Sequence, residues 1–369
     1  MTAWVRLSIG GKRTLADDRG YSKVGAVRSP AVSVVVASYN RSELLTRCLC
    51  SLENQTWRDF EVLVVDDGSD DESVGNAARS ASGLSVRVIV LPRPHHGFSR
   101  GCSAGMAEAR GRYVATLNND TEADPRWLEE LVRAMESSPD IGMGASKILF
   151  LAERNRIDKA GHLIYLDGLN HGRGSGELDL GQFDREEEVL FPDGAAAIYR
   201  REMLEVTGLY DERFVGYGDD ADIGLRGRLA GWRCAYVPTA VVYHVHSATW
   251  GKYSLEKAFL IERNRVWVAI KTFPLALLLL SPIFTLVRVA FHCYGAIFGV
   301  GSSGEFSRQC SGPRLALTML KAWGSAIRGA PEMWRSRRGI RRFKRLSDRR
   351  MMALLWRHRI SARALTLRA

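Results

Sequence analysis

Residues 113–125 read YVATLNNDTEADP: a short apolar run that stops at two amides and one carboxylate. Asn and Asp tolerate tight backbone conformations, so a plain turn is one reading. The other is that a buried strand delivers Asp120 to a ligand at the carboxyl edge of a sheet, where open α/β folds bind their substrates. The flanking sequence decides between them.

Upstream, Val32–Ala37 (VSVVVA) is a continuous apolar run suited to a strand covered on both faces. Leu44, Leu45, Cys48, Leu49 and Leu52 then recur at helical spacing, with Asn40 and Glu43 placed as a capping box. Val62–Val65 and Val86–Leu91 read as the second and third strands, and the small residues of 101–109 as a helix packed closely on the sheet. Tyr113–Leu117 is the fourth strand, and Pro125–Glu136 a helix with Pro in its first turn. Helices are expected near 201–207 and 220–230 and a strand at 233–237, whereas 151–192 has little periodicity and reads as a long surface loop or a substrate lid. The alternation predicts an α/β fold: a mixed, mainly parallel sheet with helices on both faces, plus a C-terminal helical, membrane-associated segment.

The 369 residues divide into an N-terminal extension (1–30), this α/β domain (31–272), an apolar and amphipathic segment (273–330) and an Arg-rich tail (331–369). Cysteines 48, 50, 102, 234, 293 and 310 are scattered, so they read as reduced thiols of a cytosolic protein, not a zinc site or a disulfide frame. The first eighteen residues lack the apolar run of a signal peptide. The tail holds thirteen Arg or Lys against Glu332 and Asp348, a net +11 that equals the net charge of the whole chain. The remainder is formally neutral. Residues 273–301 are apolar but interrupted by Pro282, Arg288 and His292, which fits an interfacial or re-entrant hairpin as well as a span. Dense positive charge beside a greasy segment, with no nucleic-acid-binding fold visible, points to an anionic membrane surface as partner and not to nucleic acid.

Three strand ends carry acids: Asp66 and Asp67 in VLVVDDGSDD, Asp120, and Asp219, Asp220 and Asp222 opening a helix in VGYGDDADIGLR. Adjacent acids at a buried strand end repel and call for a cation or ligand. Helix capping explains one acid of the third group but not three.

The ordered segments VSVVVASYNR, FEVLVVDDGSDD, GFSRG, GRYVATLNND, GLYDERFVGYGDDADIGLR, VVYHVHSAT and ERNR resemble the family 2 inverting glycosyltransferases of GT-A fold, most of all the bacterial rhamnosyltransferase and galactofuranosyltransferase branch. The resemblance implies a transferase that moves a sugar from a nucleoside diphosphate to a hydroxyl of a lipid-linked glycan at the cytoplasmic face of the cell membrane. dTDP-rhamnose is the expected donor; a UDP-sugar for another exported polysaccharide, or a silent sugar-binding scaffold, is the rival. By the same resemblance Ala37, Ser38, Tyr39, Asp66, Asp67 and Asn119 meet the donor nucleotide. Asp120, with His244 or His246, holds a divalent cation, Mg²⁺ or Mn²⁺. Asp220 is the catalytic base with Asp219 ahead of it, and Arg263–Arg265 lie on a helix near the acceptor. His95, His96, Cys102 and Ser103 depart from the family's Asn-rich pattern and put the donor contacts of that loop in question.

Overall fold

The computed structural model describes residues 6–8, 29–70, 73–81, 83–246 and 254–367. Most of the expected 1–30 extension and the SAT of VVYHVHSAT lie outside the described residues. The chain begins with β1 (Arg6–Ser8), β2 (Val32–Ser38), α1 (Ser42–Glu53), β3 (Phe60–Asp66), α2 (Ser73–Ser80), β4 (Val86–Val90) and α3 (Phe98–Glu108). β5 (Tyr113–Leu117), β6 (Thr121–Ala123), α4 (Trp127–Glu136) and β7 (Ile141–Phe150) follow. The central sheet runs β1-β4-β3-β2-β5-β12-β7-β13-β11, where β11 is Glu187–Glu188, β12 Ala196–Arg200 and β13 Arg233–His244. β4, β3, β2 and β5 are parallel, β12 is antiparallel to both its neighbours, and β7 pairs parallel with β13. The sheet is therefore mixed and mainly parallel.

The apolar runs alternate between its two faces. Val32, Val34 and Val36 pack with the buried sides of α1 and α4, while Val35, Leu63 and Val65 pack with Met106 of α3. A Cβ on Gly105 would overlap Val35, which is why α3 is built of small residues.

Three expectations change. Asn40 does not cap α1. Asn40 and Arg41 have φ of 54° and 67°, and the Asn40 side chain instead accepts from the Asp70 N–H at 2.9 Å, tying the β2 and β3 loops together. The last strand continues past Val237 because a register shift between Val237 and Val241 absorbs Pro238. Residues 151–192 are not one long surface loop: they include β8 (Ile157–Lys159), β9 (His162–Ile164) and β10 (Asn170–Gly172), with Asp158, His162 and Asp167 buried.

After β12 come α5 (Arg201–Thr207), α6 (Asp219–Leu229) and, beyond β13, α7 (Leu255–Thr272). The C-terminal part is helical: α8 (Leu275–Phe298), α9 (Gly301–Gln309), α10 (Gly312–Ile340), α11 (Asp348–Arg357) and α12 (Ala362–Leu367). Residues 273–301, which fitted a hairpin as well as a span, hold the single helix α8 with Pro282 inside it. The expected boundary at 330/331 falls within α10, and the basic segment is docked on the body. Met333, Ile340, Met351 and Leu355 are buried with α6 and α7 residues, and the Arg345 N–H donates to Leu229 O at 2.8 Å.

Candidate functional site

Parallel strands bring their carboxyl ends to one edge, and a cleft of about 220 Å³ opens there. Ala37 and Ser38 at the end of β2 with Tyr39 beyond it, Asp67 after β3, Asn119 and Asp120 after β5, Asp219 and Asp220 at the start of α6, and His244 at the end of β13 with His246 just past it all line it. These sequence-predicted residues converge from five places in the chain. Asp66 is the exception. Its Oδ1 accepts the Ser69 N–H at 2.9 Å, so the adjacent acids split into one turn-forming and one cleft-lining carboxylate.

At one end of the cleft, Asp67 accepts from the N–H groups of His96 (3.0 Å) and Gly97 (2.7 Å), and His95 Nδ1 lies 2.8 Å from its Oδ2. Burial alone would raise this carboxyl, but His95 and the Gly97 N–H outweigh it and hold it below the usual carboxylate range. The His95 ring stacks on Tyr39 with centroids 4.1 Å apart. Gly97, at φ 97°, is required here: a Cβ would lie 2.5 Å from Val215 O. Of the departures noted in the sequence, His95 lines the cleft, whereas Cys102 is buried in the core and Ser103 donates to Tyr210 O at 2.9 Å. The Cys and Ser serve packing, not donor contact.

In the middle, Asp120 Oδ1 sits 3.2 Å from His244 Nε2, and His244 Nδ1 is 2.8 Å from Asp158 Oδ2. Burial alone would lower the His244 imidazole, but Asp120 and Asp158 raise it to about 9. Asp120 is in turn held below its ordinary range: burial pushes it up, and the His244 charge more than offsets that. Asp158, His244 and His246 present ligand atoms within 4.8 Å of one another. Asp158 Oδ1 and His246 Nδ1 lie 3.1 Å apart, so both imidazoles converge on the one buried carboxylate. Carboxylate and imidazole donors converging this closely fit a divalent cation.

At the other end, Asp219 Oδ2 accepts from Ser99 Oγ at 2.9 Å, and burial together with neighbouring Asp220 pushes its carboxyl up to about 7. Asp220 Oδ2 is 3.3 Å from His162 Nε2, which also lies 2.8 Å from Asp193 Oδ2. Lys159 Nζ is 2.8 Å from the same Asp193 oxygen and 3.9 Å from Asp158. Burial would lower His162, but Asp220 and Asp193 bring it up to about 9. Asp222 points away, paired with Arg226 (2.9 Å) and Lys271 (2.7 Å), so the third acid of the cluster is structural. The Asn264 amide donates to Phe214 O, Gly216 O and Tyr217 O at 2.7–2.9 Å and fixes the loop before α6. Arg263 and Asn264 therefore clamp the acid loop, Arg265 turns to Glu262 and Asp167, and none of the three lines the cleft.

Asp158, Lys159, His162 and Asp193 were not expected from the sequence. Asp193 carried a readable signal, an acid next to the apolar run Ala195–Ile198. It precedes its strand, and β12 is antiparallel, so the start of this strand reaches the edge where the others end.

Residues 33–208 match the model of Glycosyl transferase family 2. The chain is 30% identical over 230 residues to O-antigen biosynthesis protein RfbC of Myxococcus xanthus, covering 60% of this chain and 18% of that one. It is 29% identical over 228 residues to Succinoglycan biosynthesis protein ExoO of Rhizobium meliloti (strain 1021), covering 60% and 62%. In neither case is two thirds of the relative's length reached. Mannosyltransferase PcManGT from Pyrobaculum calidifontis, solved with GDP-Man and Mn²⁺, superposes with a TM-score of 0.51 at 16% identity over 90% of this chain and 88% of that one. That likeness is one of fold, and the fold is GT-A.

Proposed function

We propose that this chain, whose residues 33–208 match Glycosyl transferase family 2 within a GT-A fold, transfers a sugar with inversion from a nucleoside diphosphate to a hydroxyl of a lipid-linked glycan. The donor of the reading is dTDP-rhamnose, with a UDP-sugar as the alternative, and the place is the cytoplasmic face of the cell membrane. The names of the RfbC and ExoO relatives support polysaccharide assembly.

One observation carries the reading. A nucleotide end (Tyr39, Asp67), a cation set (Asp120, His244) and a buried acid pair (Asp219, Asp220) share one cleft. Asp67 and the Tyr39–His95 stack suit a nucleobase, which offers N–H groups and a flat face. A divalent cation would be held by Asp120 and His244, with Asp158 and His246 behind, and would disperse charge developing on the leaving diphosphate. Asp220, at the opening of α6 and lining the cleft, takes the acceptor's proton, opposite the departing diphosphate. His162 and Asn170 hold Asp220 at 3.3 and 3.4 Å and keep its carboxylate aimed. A silent scaffold would have no use for two adjacent buried acids that repel each other.

The test is donor turnover. Purified protein is incubated with a nucleotide-sugar panel and a lipid-linked disaccharide mixture, with Mg²⁺, Mn²⁺ or chelator, beside Asp220→Asn. Release of one nucleoside diphosphate is expected, abolished by chelator and reduced roughly 10²–10⁴-fold in the variant. No turnover and no calorimetric binding of any donor would return the protein to the scaffold reading.

A further inference from the structure

We propose that α8 is an inside-out helix lying in the plane of an anionic membrane surface, a one-sided anchor that does not cross the bilayer. Its polar residues Ser281, Thr285, Arg288 and His292 recur at i, i+4, i+7 and i+11, which makes one stripe. On a helix in water that stripe would face solvent. Here it faces the protein. Arg288, 2% exposed, donates through Nε to Asp167 at 2.7 Å and through one terminal nitrogen to both Glu262 oxygens at 2.9 Å. Thr285 Oγ1 accepts from Arg265 at 3.2 Å, and His292 Nδ1 meets Ser303 Oγ at 2.6 Å.

The opposite face is apolar and bare. Leu279, Ile283, Leu286 and Ile297 are 71%, 57%, 69% and 76% exposed. On α10, Leu317, Leu320 and Ile327 are exposed as well. An apolar area of this extent marks an interaction site.

Charge names the occupant. Arg288 and His292, the ionisable groups of the polar stripe, are both turned inward, so the bare face of α8 carries no charge. The segment that follows holds the net +11 of the chain, with Arg335, Arg338, Arg341 and Arg342 exposed and Trp334 and Trp356 partly bare. An apolar helix face plus a polybasic, Trp-bearing flank is what stable attachment to anionic lipid takes. In length and composition α8 could cross a bilayer. Crossing would pull Asp167, Glu262 and Arg265, which belong to the α/β body and α7 and grip the middle of the helix, into hydrocarbon. The in-plane position leaves them in the protein.

This deepens the membrane side of the proposed function, and none of its readouts needs a sugar donor, so either can fail alone. Full-length protein is floated with phosphatidylcholine vesicles with and without phosphatidylglycerol. The native Cys293, exposed on α8, is mapped by maleimide labelling and mass spectrometry. Flotation with the anionic vesicles and loss of Cys293 labelling on binding are expected. The triple variant Leu279→Glu, Ile283→Glu, Leu286→Glu should stay unfloated while binding the donor as the parent does. In sealed inside-out membrane vesicles from producing cells, residues 301–367 should remain open to added protease. Flotation of the triple variant equal to the parent's, or Cys293 labelled as fast with vesicles as without, overturns the lipid contact. Shielding of 301–367 from protease makes α8 a span instead. A stable dimer that hides Cys293 without lipid gives the face to a second copy of the chain.

Discussion

Asp219 and His162 sit on either side of the proposed base, Asp220, and respond to pH in ways that can be measured. The Asp219 carboxyl, buried against Asp220, titrates at about 7 in the fold against an ordinary 3.8. Between those values the native state binds the extra proton, so the stability this group leaves to the protein falls as pH rises. Asp219→Asn should therefore raise the melting temperature at pH 8 and change it little at pH 4.5, the gain at pH 8 reflecting on the order of a few kcal/mol of stability at most. His162 has the opposite charge type but the same slope. Raised to about 9 from 6.5, it contributes stability that is full below pH 6.5 and gone above 9. His162→Gln should cost most near pH 6 and least near pH 10 in paired thermal melts, and should lower kcat while leaving donor KM in place. A purely structural His would lower both stability and activity without that pH signature. At this scale the strand-end acids were legible, because a carboxylate that closes an apolar run has few cheap explanations. The His162–Asp193–Lys159 array was not, since its members belong to an aperiodic stretch and to a strand that enters the edge from the other side.

At the scale of elements, α8 separates two kinds of residue two positions apart. Arg288 joins buried Glu262 and Asp167, so Arg288→Met leaves both acids to Arg265 and should cost about 1–3 kcal/mol of stability in denaturant melts. Leu286 is exposed, and Leu286→Glu in detergent-free buffer should leave the midpoint unchanged within about 0.5 kcal/mol. Equal losses in the two variants would mean that α8 is packed differently from this structure. The sequence conveyed that this segment was apolar and broken by polar residues. Periodicity reports that polar residues share a face; it does not report whether that face meets water or protein. The early strands and α1 were legible for the reverse reason, as their apolar face has only the sheet to meet. Pro238 and Pro282 misled because a bulge and a helix in apolar surroundings each accommodate a missing N–H.

For the molecule as a whole, the body is formally neutral and the C-terminal basic segment, docked on the core, carries the charge. Binding to anionic vesicles should weaken steeply as salt rises from about 0.05 to 0.5 M, since the Debye length shrinks from above 10 Å towards about 4 Å. A residual, salt-insensitive fraction should persist through the apolar face of α8. Complete release by salt would mean that charge alone does the work. The placing of the cleft follows from α7. Asn264 on this helix grips the loop before the acid pair, while Glu262 and Arg265, within one turn of it, grip α8. The cleft and α8 are thus bolted to the same rod. On the in-plane reading, the cleft stands at a fixed height above the lipid, like a gauge set by the thickness of the protein. Acceptors would then be sorted by how far their hydroxyl rises from the bilayer, so that glycan length, and not sugar identity alone, decides which chains are extended.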